Sequence, residues 1–437
     1  MKEYIAGNKN FLLVLLFWIL SGSVSFLPYL TVPLTIYLMM KKRLIEELLI
    51  GFFFILIISD SYVPTLVFAK NIKNIYMVFL IIYFLFKTNE FFPLTELHKL
   101  FLPFFLFSFL TIILSVYEPF FILGIQKTVS YFFVFLILPN YILYLYRQKG
   151  RDFLKRFLLF CLFTLIIGFI LKFIAPDIAN ISTGRYRGVM GNPNGIGLFS
   201  FLVFLVFSMV NEAFPGLFSK SEKRLFYAVI LLSILLSGSR SSIIALLIFM
   251  INKEIYKKNA FGGFIVFIIF LFVIYFINLY TFEIIRFLGL QEFLRIDTIK
   301  DASGRYIAWE FAWKQIQNNF LVGKGWGYDE YYMQQHFIEL SNLGHQGGVH
   351  NSFLSFWMDQ GLIGILLFIR CFVLLFIKAS KNTNYAFPIM FAIIFTAIFE
   401  SWLVASLSAF AFLALFIYTF ISDNSFYEEI EEVETVA

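Results

Sequence analysis

Three arginines and one histidine, each set among small residues, define the chemistry open to this chain. Arg185 and Arg187 stand in Gly184-Arg185-Tyr186-Arg187-Gly188-Val189-Met190-Gly191-Asn192-Pro193-Asn194-Gly195, and Arg240 in Ser237-Gly238-Ser239-Arg240-Ser241-Ser242. His350 closes Gly344-His345-Gln346-Gly347-Gly348-Val349-His350 and is followed by Asn351-Ser352. A guanidinium is a planar fork that matches phosphate oxygens. Glycines with Asn-Pro-Asn make a turn whose backbone N–H groups can approach an anion beside a helix start. A histidine with a pKa near ~6.5 can take a proton from a hydroxyl at neutral pH. The chemistry on offer is therefore capture of a phosphate-bearing group plus proton transfer. Plainer roles fit the same residues: a capped helix start with arginines snorkelling to headgroups, a tight turn, and an interfacial histidine cap.

A third segment adds Ser303-Gly304-Arg305, expected to open an amphipathic stretch with Trp309 and Trp313, and then Gly323-Lys324-Gly325-Trp326-Gly327-Tyr328. The glycine run could bring backbone donors to a ligand, and the aromatics Trp326, Tyr328, Tyr331 and Tyr332 could stack on one. Their other role is packing at the membrane surface. Asp359, before Gln360-Gly361, marks a short helix expected to end at the glycine.

The elements that must position these residues are membrane spans. The 437 residues are 60% hydrophobic and 14% charged, against about one-half and one-quarter in a soluble domain. Long continuous apolar runs recur, and backbone groups in lipid must bond within their own segment, so the fold class is all-α and polytopic. The runs are 11–28, 29–40, 44–59, 73–88, 100–117, 128–146, 153–174, 193–211, 224–238, 239–251, 261–280, 353–378, 384–400 and 402–421, giving about twelve to fourteen spans. The pairs 11–40 and 224–251 suit broken or re-entrant helices. Cys161 and Cys371 lie inside apolar runs without metal-ligand spacing, so neither a disulfide nor a zinc site is expected. The cations are scattered over short loops, which excludes a nucleic-acid-binding surface.

Lys/Arg bias orients the chain. With both termini cytoplasmic, 20 of the 34 Lys and Arg residues, from Lys2 to Lys381, fall on the inner side. Arg185, Arg187, Arg240 and His350 then fall outside. The chain reads as one polytopic domain over 1–437, with a sizeable outer segment at 281–350 and an acidic cytoplasmic tail at 422–437.

In order, these motifs resemble the bacterial O-antigen polymerase and O-antigen ligase superfamily. Arg-x-x-Gly-x-x-Gly-Asn-Pro-Asn is matched by Arg185, Gly188, Gly191, Asn192, Pro193 and Asn194, and Ser-Gly-Ser-Arg-Ser by the break holding Arg240. Gly-Arg-x-x-x-Trp is Gly304-Arg305 through Trp309, with Gly323 to Gly327 at its end. The His-Asn-Ser-x-Leu helix start is His350 to Leu354, with Asp359 and Gly361 after it. The motifs span about residues 185–361 and the N-terminal helices match only in character; a minor departure is Asn319-Phe320 where the family often has proline before the glycine run.

The resemblance implies a metal-independent glycosyltransferase of the cytoplasmic (inner) membrane, without a cofactor, working on the outer face. Its donor is a glycan on undecaprenyl diphosphate, its acceptor another glycan or lipid A-core, and its other partners are membrane lipids and a chain-length regulator. In that scheme Arg185 and Arg240 are catalytic, holding the diphosphate and stabilising the charge that develops as it leaves. His350 orients or deprotonates the acceptor hydroxyl. Arg187, Asn192, Asn194, Arg305, Lys324 and Asn351 bind substrate. A polymerase is the first expectation, with a ligase or oligosaccharyltransferase as its alternative. A polysaccharide transporter is the rival from another class, but it would place charges near the midplane and show repeated halves.

Overall fold

A computed structural model describes residues 2–87, 95–287, 296–345 and 347–427. The acidic tail from Glu428 onward and Gln346 of the histidine motif lie outside the described residues, as does part of the outer segment, residues 288–295.

The chain is an all-α integral membrane protein. Among the described residues six helices are long and apolar enough to cross a membrane: Pro64–Phe86, Glu96–Leu114, Phe121–Lys149, Arg151–Ile174, Pro193–Ala213 and Ser352–Ala379. Four shorter apolar helices accompany them, Lys9–Ser21, Ala260–Val273, Ala386–Phe399 and Ala409–Ser422. The apolar runs outnumber these helices because several stop short. Residues 224–251 form two helices, Lys220–Ser237 and Arg240–Lys258, parted at Gly238 with φ +59. A left-handed residue of that kind ends a helix and favours glycine.

The chain divides into two compact units. The first comprises Met1–Lys99, Ser130–Ile243 and Ala405–Ala437. At its centre the Pro193–Ala213 helix is buried along nearly its whole length. It packs against Lys220–Ser237, Ala409–Ser422 and Arg151–Ile174. Aromatic pairs fill the seams, including Phe157–Phe416 (centroids 4.5 Å) and Phe207–Phe226 (4.4 Å). Gly197 lets this helix approach the Ser-Gly-Ser break closely: an added Cβ there would stand 2.9 Å from Ser237 Oγ and from Ser242 Oγ.

The Ile45–Ser59 helix runs about 22 Å across this unit. At one end Glu46 accepts from Lys149 Nζ (2.6 Å) and Arg156 Nε (2.8 Å). At the other, Asp60 meets the glycine-asparagine turn. Residues assigned by charge bias to one side of the membrane therefore gather at one end, and those assigned to the other side gather at the other.

The second unit comprises Leu100–Val129 and Ile244–Val404. The Ser352–Ala379 helix packs against Ala386–Phe399 and Ile296–Asn318. The latter runs on through Ser303 and Gly304 instead of opening there. With Tyr328–Gln335 and Phe337–Asn342 it packs around Ala308, Ala312, Ile316, Met333 and Leu340, a core that Phe120 and Met358 complete.

Gly361, with φ +65 and ψ −173, breaks the Ser352–Ala379 helix where the sequence predicts an end. The four backbone groups opened by the break are met from 320–325. Lys324 and Gly325 N–H donate to the carbonyls of Met358 (3.2 Å) and Asp359 (2.7 Å). Leu362 and Ile363 N–H donate to those of Phe320 (2.8 Å) and Leu321 (3.0 Å). The glycines make that approach possible, since a Cβ on Gly323 would collide with Asp359 and Gly361 backbone.

Candidate functional site

The residues singled out by sequence fall into two groups, one in each unit. In the first unit Asn192 caps the Pro193–Ala213 helix, its Oδ1 accepting from Gly195 N–H (2.7 Å), and Pro193 takes the first helical position. Arg185 is tied into the fold: Nε donates to Ser237 O (3.0 Å) and a terminal nitrogen to Asn194 Oδ1 (3.0 Å). The arginine motif and the Ser-Gly-Ser break thus meet at one corner. Gly238 sits under Arg185, with an added Cβ 3.5 Å from its Nε. Arg240, two residues on, is exposed and makes no hydrogen bond or ion pair with any described residue. Buried Tyr186, stacked on Phe169 at 5.3 Å, anchors the loop, and burial raises its phenol pKa.

Arg187 is turned differently. Its Nε donates to Ile178 O (2.9 Å) and a terminal nitrogen to Asp177 O (3.0 Å), and its guanidinium lies 6.0 Å from the Tyr62 ring centroid. Beneath the turn, Asp60 Oδ2 accepts from Gly191 N–H (2.9 Å). Burial pushes this carboxyl above the usual range, opposed by the Gly191 bond and by Lys73 and Lys70.

In the second unit Asn351 is the cap of the Ser352–Ala379 helix, accepting from Phe353 and Leu354 N–H. His350 just before it has φ +51, a conformation that costs a non-glycine residue about 1–3 kcal/mol. Bonds on both flanks impose it: Trp309 Nε1 donates to Val349 O (3.1 Å), and Asn351 N–H to Ser401 Oγ (2.9 Å). The held ring keeps 32% of its side-chain surface exposed.

Glu400 joins His350 to Arg305. Its Oε1 receives Arg305 at 3.0 Å, and its Oε2 lies 3.4 Å from His350 Nδ1. Ser352 Oγ–H donates to the Glu400 carbonyl (2.6 Å), fixing the residue where the Ala386–Phe399 helix ends. His345 packs edge-on to His350 with centroids 5.6 Å apart, its Nε2 3.0 Å from Gly348 O. Burial, with the charges of His350 and Arg305 adding to it, pushes the His345 pKa down against the bonds to Gly348 and Gly347.

Sequence reasoning missed Glu400, although its signal is there: a carboxylate standing where two apolar runs, 384–400 and 402–421, meet. A charge is kept at such a place when it has a partner. Asp60, at the end of 44–59, carries the same signal.

The glycine run serves packing. Gly325 N–H goes to Asp359 O, and the Asp359 carboxylate takes Gly327 N–H (3.0 Å) and Asp329 N–H (2.8 Å). Lys127 closes the cluster at 3.6 Å from Asp329 and 2.9 Å from Glu330. Lys324 pairs with Glu118 at 3.0 Å. Trp326 and Tyr328 are buried, the latter bonding Gln315 Oε1 (2.9 Å), so the expectation that they stack on a ligand is corrected: both rings are committed to the interior.

A family model described as O-antigen ligase matches residues 225–369, that is 145 of the 437 residues. The match takes in the Arg240 break, the Arg305–Tyr328 segment and the His350 helix start, three of the four motifs. A search of curated proteins finds no match. The family match supports a membrane enzyme of glycosyl-transfer type working on lipid-linked glycans. Residues 225–369 of this chain are thus similar to the O-antigen ligase domain, which supports the resemblance to the O-antigen polymerase and ligase superfamily.

Proposed function

We propose that the protein is a polysaccharide polymerase, transferring glycan from undecaprenyl diphosphate to the end sugar of a second lipid-linked repeat unit at the outer face of the inner membrane. The single observation that supports glycosyl transfer is Glu400 held between Arg305 and His350, an arrangement that serves polymerase and ligase alike. A carboxylate on Nδ1 fixes the imidazole so that Nε2 can accept the proton of an acceptor hydroxyl, a role worth about 10²–10⁴ in rate. Arg305 is assigned to holding Glu400, which makes it a positioning residue.

Arg185 and Arg240 are assigned to the diphosphate. Arg185 is oriented by the Ser237 carbonyl and Asn194 before any substrate arrives. Arg240 stands exposed at the same corner. Preorganised donors aimed at developing charge each contribute about 10²–10³ in rate, and arginines in this place neutralise the leaving diphosphate without a metal. Asn192 and Asn351 serve as helix caps that shape the two loops. Lys324, paired with Glu118, is assigned to seating the outer segment.

The description of the matching family favours a second reading, transfer of finished polymer to a lipid A-core acceptor. The test is the glycan profile of a deletion strain complemented with wild type, His350→Ala or Arg240→Ala at equal membrane expression. Loss of the polymer ladder with single repeats remaining supports the polymerase. Long lipid-linked chains building up with none on the core identify a ligase. A normal profile in both variants overturns the site.

A further inference from the structure

The buried Trp326 and Tyr328 are closed to the donor's sugar, and the arginine corner offers a more exposed ring. Tyr62 is 66% exposed in the short connection between the Ile45–Ser59 helix and Pro64. Its neighbours are fixed: Asp60 Oδ2 takes Gly191 N–H (2.9 Å), and Ser61 Oγ takes Val63 N–H (3.2 Å). Gly191 is needed for this docking, because a Cβ there would collide with the Asp60 carbonyl and stand 3.2 Å from the Tyr62 ring. On the ring's other neighbour, the Arg187 guanidinium lies 6.0 Å from the centroid, itself tied to the Asp177 and Ile178 carbonyls. An exposed aromatic is thus held beside a motif arginine, on the loop that supports the phosphate-binding turn.

We propose that Tyr62 is the stacking platform for the first sugar of the lipid-linked donor, the ring bonded directly to the diphosphate. In a glycosyl diphosphate the anomeric oxygen joins sugar to phosphate, so a group that holds the phosphates at this corner brings the sugar within reach of whatever stands next to it. The polarised C–H face of a pyranose suits the negative face of an aromatic ring, as cations do. Arg187 then lies at the edge of the platform, where it can meet a sugar hydroxyl or the nearer phosphate. This inference rests on the donor assignment made above for Arg185 and Arg240.

The experiment measures transfer by the purified full chain in lipid nanodiscs, with the donor titrated at saturating acceptor. Sugar-free undecaprenyl diphosphate serves as competitor. Tyr62→Leu keeps an apolar side chain for the membrane interface but removes the ring. It is expected to raise the donor KM about threefold to tenfold with kcat little changed, and to leave inhibition by the sugar-free competitor as in wild type. Tyr62→Trp and Tyr62→Phe are expected to restore the wild-type KM. A Leu variant with wild-type KM overturns the proposal. So does a Leu variant whose competitor inhibition weakens as much as its donor binding, since the ring would then touch lipid or phosphate. Arg185→Ala separates the two levels: retained competitor inhibition there refutes the donor assignment itself, whatever Tyr62 does.

Discussion

Replacing Glu400 by glutamine removes one charge while keeping the side chain's shape, and its consequences can be worked from the contacts. The carboxylate meets Arg305 at 3.0 Å and His350 Nδ1 at 3.4 Å, with 14% of its side chain exposed and 30% of that of Arg305. At a separation of about 4 Å and an effective dielectric near ~20, the gross attraction between the charges is about 4 kcal/mol. Most of it is offset by desolvation and side-chain entropy, so the net loss of stability is expected to be about 1 kcal/mol. Catalysis should suffer more. An amide can present its NH₂ to Nδ1 and favour the wrong tautomer, and misplacement of a reacting group by ~1 Å costs on the order of 10² in rate. Glu400→Gln is therefore expected to lower kcat by about 10²-fold, with the donor KM little changed and the thermal transition of the nanodisc-embedded protein moved by only a few degrees. The assay is single-turnover transfer from lipid-linked repeat units, resolved as a ladder on a gel. Adding His350→Ala to Glu400→Gln should cost far less than it does alone, because both act through one imidazole. Additive losses, or a kcat within about threefold of wild type, would refute the coupling.

Arg185→Lys keeps the charge but cannot reach Ser237 O and Asn194 Oδ1 together, so kcat/KM should fall about 10²-fold in the same assay. Asp359→Leu strips the acceptor from two buried N–H groups beside Lys127, and should cost about 3–5 kcal/mol, read as loss of monodisperse protein after mild heating. Lys324→Ala, whose pair with Glu118 is partly exposed, should change the same readout little. The His345 pKa is depressed in the folded chain, so its contribution is complete above the unfolded value of about 6.5 and is lost as pH falls through the lower folded value. Protection against hydrogen exchange in residues 340–345, taken after correction for the intrinsic slowing of exchange at lower pH, should weaken between neutral pH and pH ~5, and His345→Gln should flatten that dependence.

The spans and breaks were legible because lipid forces them: continuous apolar runs can only be helices, and Gly238 and Gly361 mark breaks whose backbone favours glycine. The caps were legible for the same local reason, as Asn192 and Asn351 show. What sequence concealed was pairing across long separations. Nothing near His350 in the chain announces Glu400, fifty residues on, and nothing near Gly191 announces Asp60. Composition also misled about the aromatics. Trp326 and Tyr328 look like surface residues in a loop rich in glycine, yet those glycines exist to let the loop sink against a broken helix, which carries the rings inward.

The break at Gly361 bears on how this protein can be rebuilt. Four backbone groups of a membrane-embedded helix are satisfied only by residues 320–325, so the outer segment is no detachable lid. A chimaera that exchanges residues 296–345 with those of a related chain must carry 358–363 along as a matched half, or it will leave bare amides and carbonyls where water is scarce. Reporter insertions within 320–325 would misreport topology for the same reason, since they would damage the span they are meant to locate. Single-residue insertions and deletions should be absent from both stretches in any functional library, even though one of them reads as an ordinary loop.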